Sequence, residues 1–158
     1  MKNTLRNFLL TLIFMFMGLG AFADDRSEAL NFFSSYVRAS NSYSTSVLNM
    51  YSDDASIIRQ VVKPDGQLVN VPFSVKDYKK QLRLSSKIAK IKKYKNYYSD
   101  IRVTKVSDGY KIDAMRKPSL SDYKLKASMT IKKQPGGGWL IVEELMQTKE
   151  QIFLKYAK

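Results

Sequence analysis

The spacing of apolar positions changes several times along this chain, and each change predicts a new element. From Ser27 to Met50, apolar residues at Leu30, Phe33, Val37, Val47 and Leu48 recur at helical intervals, with Ala29, Phe32, Tyr36 and Tyr43 beside them. This predicts an amphipathic helix whose serine-rich middle, Ser40 to Ser46, is a candidate break into two. Tyr51-Ser52-Asp53-Asp54 reads as a turn. Ala55 to Val62 is rich in β-branched residues, Lys63-Pro64-Asp65-Gly66 is a turn signal, and Gln67 to Phe73 pairs back as a hairpin. Ser74 followed by Asp77 resembles a helix cap, and behind it Val75, Tyr78, Leu82 and Ile88 or Ala89 form one apolar face.

The rest reads as successive strands. Tyr97 to Val106 and Tyr110 to Lys117 flank the short turn Ser107-Asp108-Gly109, and Pro118 to Asp122 forms a loop. The next strand alternates cleanly, with Tyr123, Leu125, Ala127, Met129 and Ile131 on one face and Lys124, Lys126, Ser128, Thr130 and Lys132 on the other. Pro135-Gly136-Gly137-Gly138 turns into a last strand, Trp139 to Thr148, followed by a tail that extends it or forms a short helix. Segregated helices and a meandering sheet define an α+β domain: a strongly curved antiparallel sheet wrapped around the N-terminal helices. Its outer face carries Arg102, Lys111, Lys117, Lys124, Lys126 and Lys132.

The first 23 residues have a different character. Lys2 and Arg6 precede an apolar block from Phe8 to Met17, and the stretch closes on Ala21-Phe22-Ala23. These are the parts of a secretory signal peptide, too short to span a bilayer comfortably, with cleavage expected after Ala23. The expectation is therefore a leader over 1–23, one domain over 24–158, and a periplasmic or secreted protein.

Composition narrows the chemistry. The chain contains no cysteine and no histidine. Disulfides, a lipid-bearing cysteine, zinc sites and histidine-based triads are thereby excluded, and no motif for a metal or cofactor is read. The net charge is +13, or +11 once Lys2 and Arg6 leave with the leader. Export makes nucleic acid an unsuitable partner for that charge and leaves anionic lipid or envelope polymers, or no dedicated partner at all. The basic residues cluster in Lys76 to Lys95, followed by Tyr97 and Tyr98, a combination suited to an anionic membrane surface or to a simple solvated helix face. The expected contact residues are Lys79, Lys80, Arg83, Lys124 and Lys126.

The order of elements, with Met50-Tyr51-Ser52-Asp53-Asp54-Ala55-Ser56-Ile57 before the first strand and Gly138-Trp139-Leu140-Ile141-Val142 in the last, resembles the nuclear transport factor 2-like superfamily. The resemblance covers nearly all of residues 24–158 and implies a cone formed by a bent sheet around helices, often enclosing an apolar pocket and often dimerising. It does not settle function, because the superfamily contains isomerases, cyclases, dehydratases and non-catalytic binders. In its ketosteroid isomerase-like members a general-base aspartate lies four residues after the alanine of the Asp-Ala step. That position is Arg59 here, which cannot act as a base.

Two main functional readings follow. The first is an exported, non-catalytic binding domain holding an apolar or amphiphilic small molecule in a pocket lined by Phe33, Val37, Tyr78, Leu82, Ile101, Tyr123, Leu125, Met129 and Trp139. The second is a lyase or isomerase using an inward carboxylate drawn from Asp53, Asp54, Asp100, Asp113, Glu143 and Glu144. Asp53 and Asp54 suit turn capping, and Asp113 shares a face with Lys111. Glu143 and Glu144 point to opposite faces, Glu143 with Trp139 and Ile141, so one of them faces inward, to act as an acid or to pair with Arg59 or Arg116. A homodimer through the sheet face is a third reading, opposed by the lysines on that face.

Overall fold

In the computed structural model, which describes residues 25–157, the first helix (α1) covers 25–41. Its buried residues, Ala29, Phe33 and Tyr36, fall at intervals of four and three and form the stripe that faces the sheet. The leader read over 1–23 and its cleavage site lie outside the described residues. The serine-rich segment does break the helix. Tyr43 adopts a left-handed φ of 61°. The Ser44 and Tyr43 amides donate back to the carbonyls of Ala39 and Ser40, closing α1 in a Schellman arrangement. A 3-10 segment, Thr45–Met50, then buries Val47 and Leu48.

Strand β1 (Tyr51–Val62) begins sooner than expected, because Tyr51 to Asp54 already belong to it rather than to a turn. The chain bulges there: Tyr51 lies opposite Ile141 and Ser56 opposite Glu143, so the acidic stretch is extra length against its partner. The expected hairpin to β2 (Leu68–Phe73) forms, with Gly66 at φ 86° in the turn. Helix α2 (Val75–Ile91) follows, its Ser74 hydroxyl accepting from the Asp77 amide. Strands β3 (Asn96–Val106), β4 (Gly109–Pro118), β5 (Leu125–Lys133) and β6 (Trp139–Thr148) complete the sheet, and the tail turns into a 3-10 segment, Gln151–Tyr156.

The sheet order is β2-β1-β6-β5-β4-β3. The pairing is antiparallel except for β1 with β6, which run parallel, so the sheet is mixed rather than antiparallel throughout. The reason is topological: β6 returns to lie beside β1 after the β3–β5 meander. Register shifts in β1, β3 and β6 bend the open sheet around the helices. At the β3–β4 turn a Cβ on Gly109 would run into the carbonyl oxygen of Ile131, so only glycine fits that approach. Inward residues of four strands, led by Ile57, Ile112, Ile131 and Ile141, build the core beneath α1.

Candidate functional site

Of the two adjacent glutamates on β6, Glu144 faces inward, at 2% exposure, and Glu143 faces out. Simple alternation from Ile141 would have turned Glu143 inward. The register shift on β6, where Ile141 pairs with Ile131 but Glu143 with Thr130, inserts Val142 as an extra residue and reverses the phase. Glu143 accepts instead from the Thr130 hydroxyl at 2.8 Å.

Glu144 sits at the centre of a polar cluster beneath α1 and α2. The Arg59 Nη1 lies 2.7 Å from its Oε1. The hydroxyl of Tyr78 donates to Oε1 at 3.3 Å, that of Tyr36 donates to Oε2 at 3.2 Å, and that of Tyr51 makes a short hydrogen bond to Oε2. Arg59 Nη2 donates to the Tyr78 hydroxyl at 2.6 Å, and the guanidinium lies 4.8 Å from the centre of that ring. A carboxylate offers only acceptors, and here a guanidinium and three hydroxyls use them. Burial, reinforced by the Glu144 charge, holds Tyr36 and Tyr51 well above the ordinary phenol range. Burial also pushes Tyr78 up to about 12, although the Arg59 charge works against the rise.

The other candidate acids lie on the surface. Asp53 pairs with Lys79 at 3.1 Å, Asp113 with Lys111 at 3.5 Å, and Asp54 accepts a short bond from Ser52. Asp100 occupies a left-handed φ of 56° in the β3 bulge and is exposed. Among the described residues no group of three or more acidic side chains is placed to hold a metal ion.

A cleft of about 530 Å³ opens between α2, the end of α1, the β4–β5 loop and the C-terminal 3-10 segment. Arg59 and Tyr78 line it, whereas Glu144 lies behind them. Leu82, Ile88, Ala89, Leu120, Tyr123, Met146 and Phe153 give it apolar walls, and Ser85, Ser86, Thr148, Tyr94 and Asn96 give it hydroxyl and amide groups. Arg116 also lines it, at 6% exposure.

Of the nine residues expected to line a pocket, the structure brings Tyr78, Leu82 and Tyr123 together around this cleft. Phe33 and Met129 are buried in the close-packed core and Val37 packs against it. Leu125 is half-buried outside the cleft. Ile101 is 45% exposed, because the bulge between Ser99 and Arg102 breaks the alternation that placed it inward. Trp139 packs elsewhere on α1, donating to Glu28 at 3.1 Å and stacking edge-on with Tyr110. Arg59 and Arg116 were legible as unusual: both occupy inward phases of otherwise apolar strands, Ile57-x-Arg59-x-Val61 and Ile112-x-Ala114-x-Arg116. Tyr36 and Tyr51 as carboxylate partners were not legible, since the contact spans residues from α1, β1 and β6.

The expected basic contact residues divide between two sides. Lys79, Lys80 and Arg83 belong to α2, which packs on β1 by the inner face of the sheet, while Lys126 alternates out of β5 on the opposite face and Lys124 lies in the loop just before β5.

No protein-family model matches the sequence, and neither does any curated protein. Solved structures do match. An NTF2-like protein with a cystatin-like fold from Novosphingobium aromaticivorans gives a TM-score of 0.62 over 84% of this chain and 87% of that one, at 10% identity. An NTF2-like protein of unknown function from Pseudomonas putida gives 0.59 over 78% and 85%, at 13% identity. A third, described as a putative dehydratase from the NTF2-like family of Streptomyces avermitilis, gives 0.59 over 79% and 96%, at 11% identity. The fold is therefore that of the nuclear transport factor 2-like proteins. At such identities the likeness speaks for the fold alone.

Proposed function

We propose that this protein is an exported binding domain that holds an amphiphilic small molecule in the cleft between α2 and the C-terminal segment. The observation that carries this reading is the cleft itself: about 530 Å³, with apolar walls interleaved with hydroxyl, amide and cationic side chains, within the usual range for small-molecule sites. The leader-like pattern of 1–23 supports export. Against acid–base catalysis stands the arrangement of Glu144, whose oxygens are taken up by Arg59 and three tyrosines behind the cleft wall.

The basic surface suits an anionic envelope partner. Along α2, Leu84, Ile88 and Ile91 are exposed on one stripe, with Lys80 and Lys87 beside it, a pattern that adsorbs to anionic lipid. Ile88 belongs both to this stripe and to the cleft lining, so a membrane-bound helix would present the cleft to lipid.

Native mass spectrometry of protein purified from an envelope fraction tests the reading. An adduct of amphiphile mass is expected. Repeated recovery of protein with no adduct, and no binding of added amphiphiles, would overturn it.

A further inference from the structure

We infer that the cleft selects an amphiphile with an anionic head, carboxylate or phosphate, and that Arg116 receives that head. The inference rests on the small-molecule reading above and names the ligand class for the same site. Three guanidiniums line the cleft: that of Arg83, exposed on α2, and those of Arg59 and Arg116, which are buried. Arg59 is neutralised by Glu144 at 2.7 Å, but among the described residues Arg116 has no carboxylate within ion-pair distance. Its Nη1 donates to Asn96 Oδ1 at 2.8 Å and to the Tyr94 hydroxyl at 3.3 Å, and its Nη2 donates to the Gln147 carbonyl at 2.7 Å. None of these acceptors is charged, and Nε is buried without any partner. A buried cation with an unused donor is costly unless a counter-charge reaches it. The acidic lining residue, Glu150, is exposed on the surface and does not fill that role. An anion bound where Arg116 lines the cleft would supply the missing counter-charge, with its tail along Leu82, Ala89, Leu120, Tyr123 and Phe153.

Calorimetric titration of the protein with decanoate, decyl phosphate, 1-decanol and decyltrimethylammonium tests this. The anionic ligands should bind about ten- to a hundredfold more tightly than the neutral and cationic ones, the range a charge-assisted hydrogen bond supplies. The decanoate and decyl phosphate arms tell which head is preferred. The preference should persist at high salt, since a buried charge is little screened. Arg116→Gln should reduce decanoate to the level of decanol. In the unaltered protein, decanoate should shift the NMR signal of the Arg116 Nε–H and decyltrimethylammonium should not, a readout that stands even if Arg116→Gln fails to fold. Equal binding of all four ligands, or a preference lost with Arg83→Gln and Lys92→Gln but kept in Arg116→Gln, overturns the head-group assignment and leaves the binding reading intact. Decanoate binding without any Nε–H shift has the same meaning. Binding of none of the four overturns the cleft reading itself.

Discussion

Arg59 and Glu144 meet at 2.7 Å in the core, brought together by the parallel pairing of β1 with β6. Ile57 lies opposite Glu144 in that register, so Arg59 reaches across from one inward position further along β1. Where the fold resemblance would place a catalytic aspartate, this chain has the cation of a structural ion pair. Such a pair is revealed by removing one half of it, because the other charge is then left buried. Glu144→Ala should lower stability by about 3–5 kcal/mol, and Arg59→Ala by a similar amount. The double variant should lose clearly less than the sum of the two, measured by urea unfolding. Additive losses would mean that the two charges do not depend on each other.

The tyrosines around Glu144 make stability sensitive to high pH. Tyr36, Tyr51 and Tyr78 all ionise above their ordinary value when folded, chiefly because they are buried. The folded state therefore holds their protons more firmly than the unfolded chain does. Their contribution is fully present below about pH 10 and is lost as pH rises through the folded values, about 12 for Tyr78. Each such tyrosine costs about 1.4 kcal/mol per pH unit in that window. Denaturant midpoints should hold steady up to about pH 10 and then fall, and the last phenols to ionise should do so only as the protein unfolds. A flat midpoint between pH 10 and 12 would contradict the cluster.

Local signals in the sequence carried the element order. The apolar spacing of Phe33 and Val37, the Pro64-Asp65-Gly66 turn, the Ser74 cap and the alternation of β5 each correspond to an observed feature. Pocket residues were harder to read because alternation holds only in unbroken strands. One bulge on β3 turned Ile101 out, and another on β6 decided which of Glu143 and Glu144 faces inward. Trp139 was on an inward strand yet at the wrong end of the core, which depends on where α1 crosses the sheet. The pairing of a glutamate with Arg59 was among the readings open from sequence, but the three hydroxyls that complete it come from tertiary packing.

Helix α2 ends without glycine. Lys93 stands at φ 51°, with the Lys93 and Tyr94 amides donating to the carbonyls of Lys90 and Ala89. Only glycine adopts that conformation without a steric penalty. Lys93→Gly should therefore stabilise the protein by about 1 kcal/mol and raise the thermal midpoint. A lower midpoint would show that the lysine side chain contributes something its backbone strain conceals.

The charge on α2 predicts salt-sensitive adsorption. Binding to anionic vesicles should exceed binding to neutral ones and should fall as salt shortens the screening length from about 10 Å at 0.1 M to about 3 Å at 1 M. Replacing Lys80, Arg83 and Lys87 by glutamine should weaken adsorption in vesicle sedimentation while changing stability by about 0.5 kcal/mol or less. The same change to Lys126, on the far face of the sheet, and to Lys124, in the loop before β5, should have the smaller effect. Equal adsorption to neutral and anionic vesicles at low salt would make the charge a solubility feature.

The most direct test of the cleft as a binding site compares the unaltered protein with Ala89→Trp by native mass spectrometry after incubation with decanoate. Ala89 is half-buried on α2 and lines the cleft, so an indole there would occupy the space a ligand needs. The unaltered protein should carry the ligand as a discrete one-to-one adduct, and Ala89→Trp should carry none while keeping a comparable thermal midpoint. The same adduct on both proteins would contradict the cleft as the site where this protein holds its ligand, as would no adduct on either with decanoate, decyl phosphate, 1-decanol or decyltrimethylammonium.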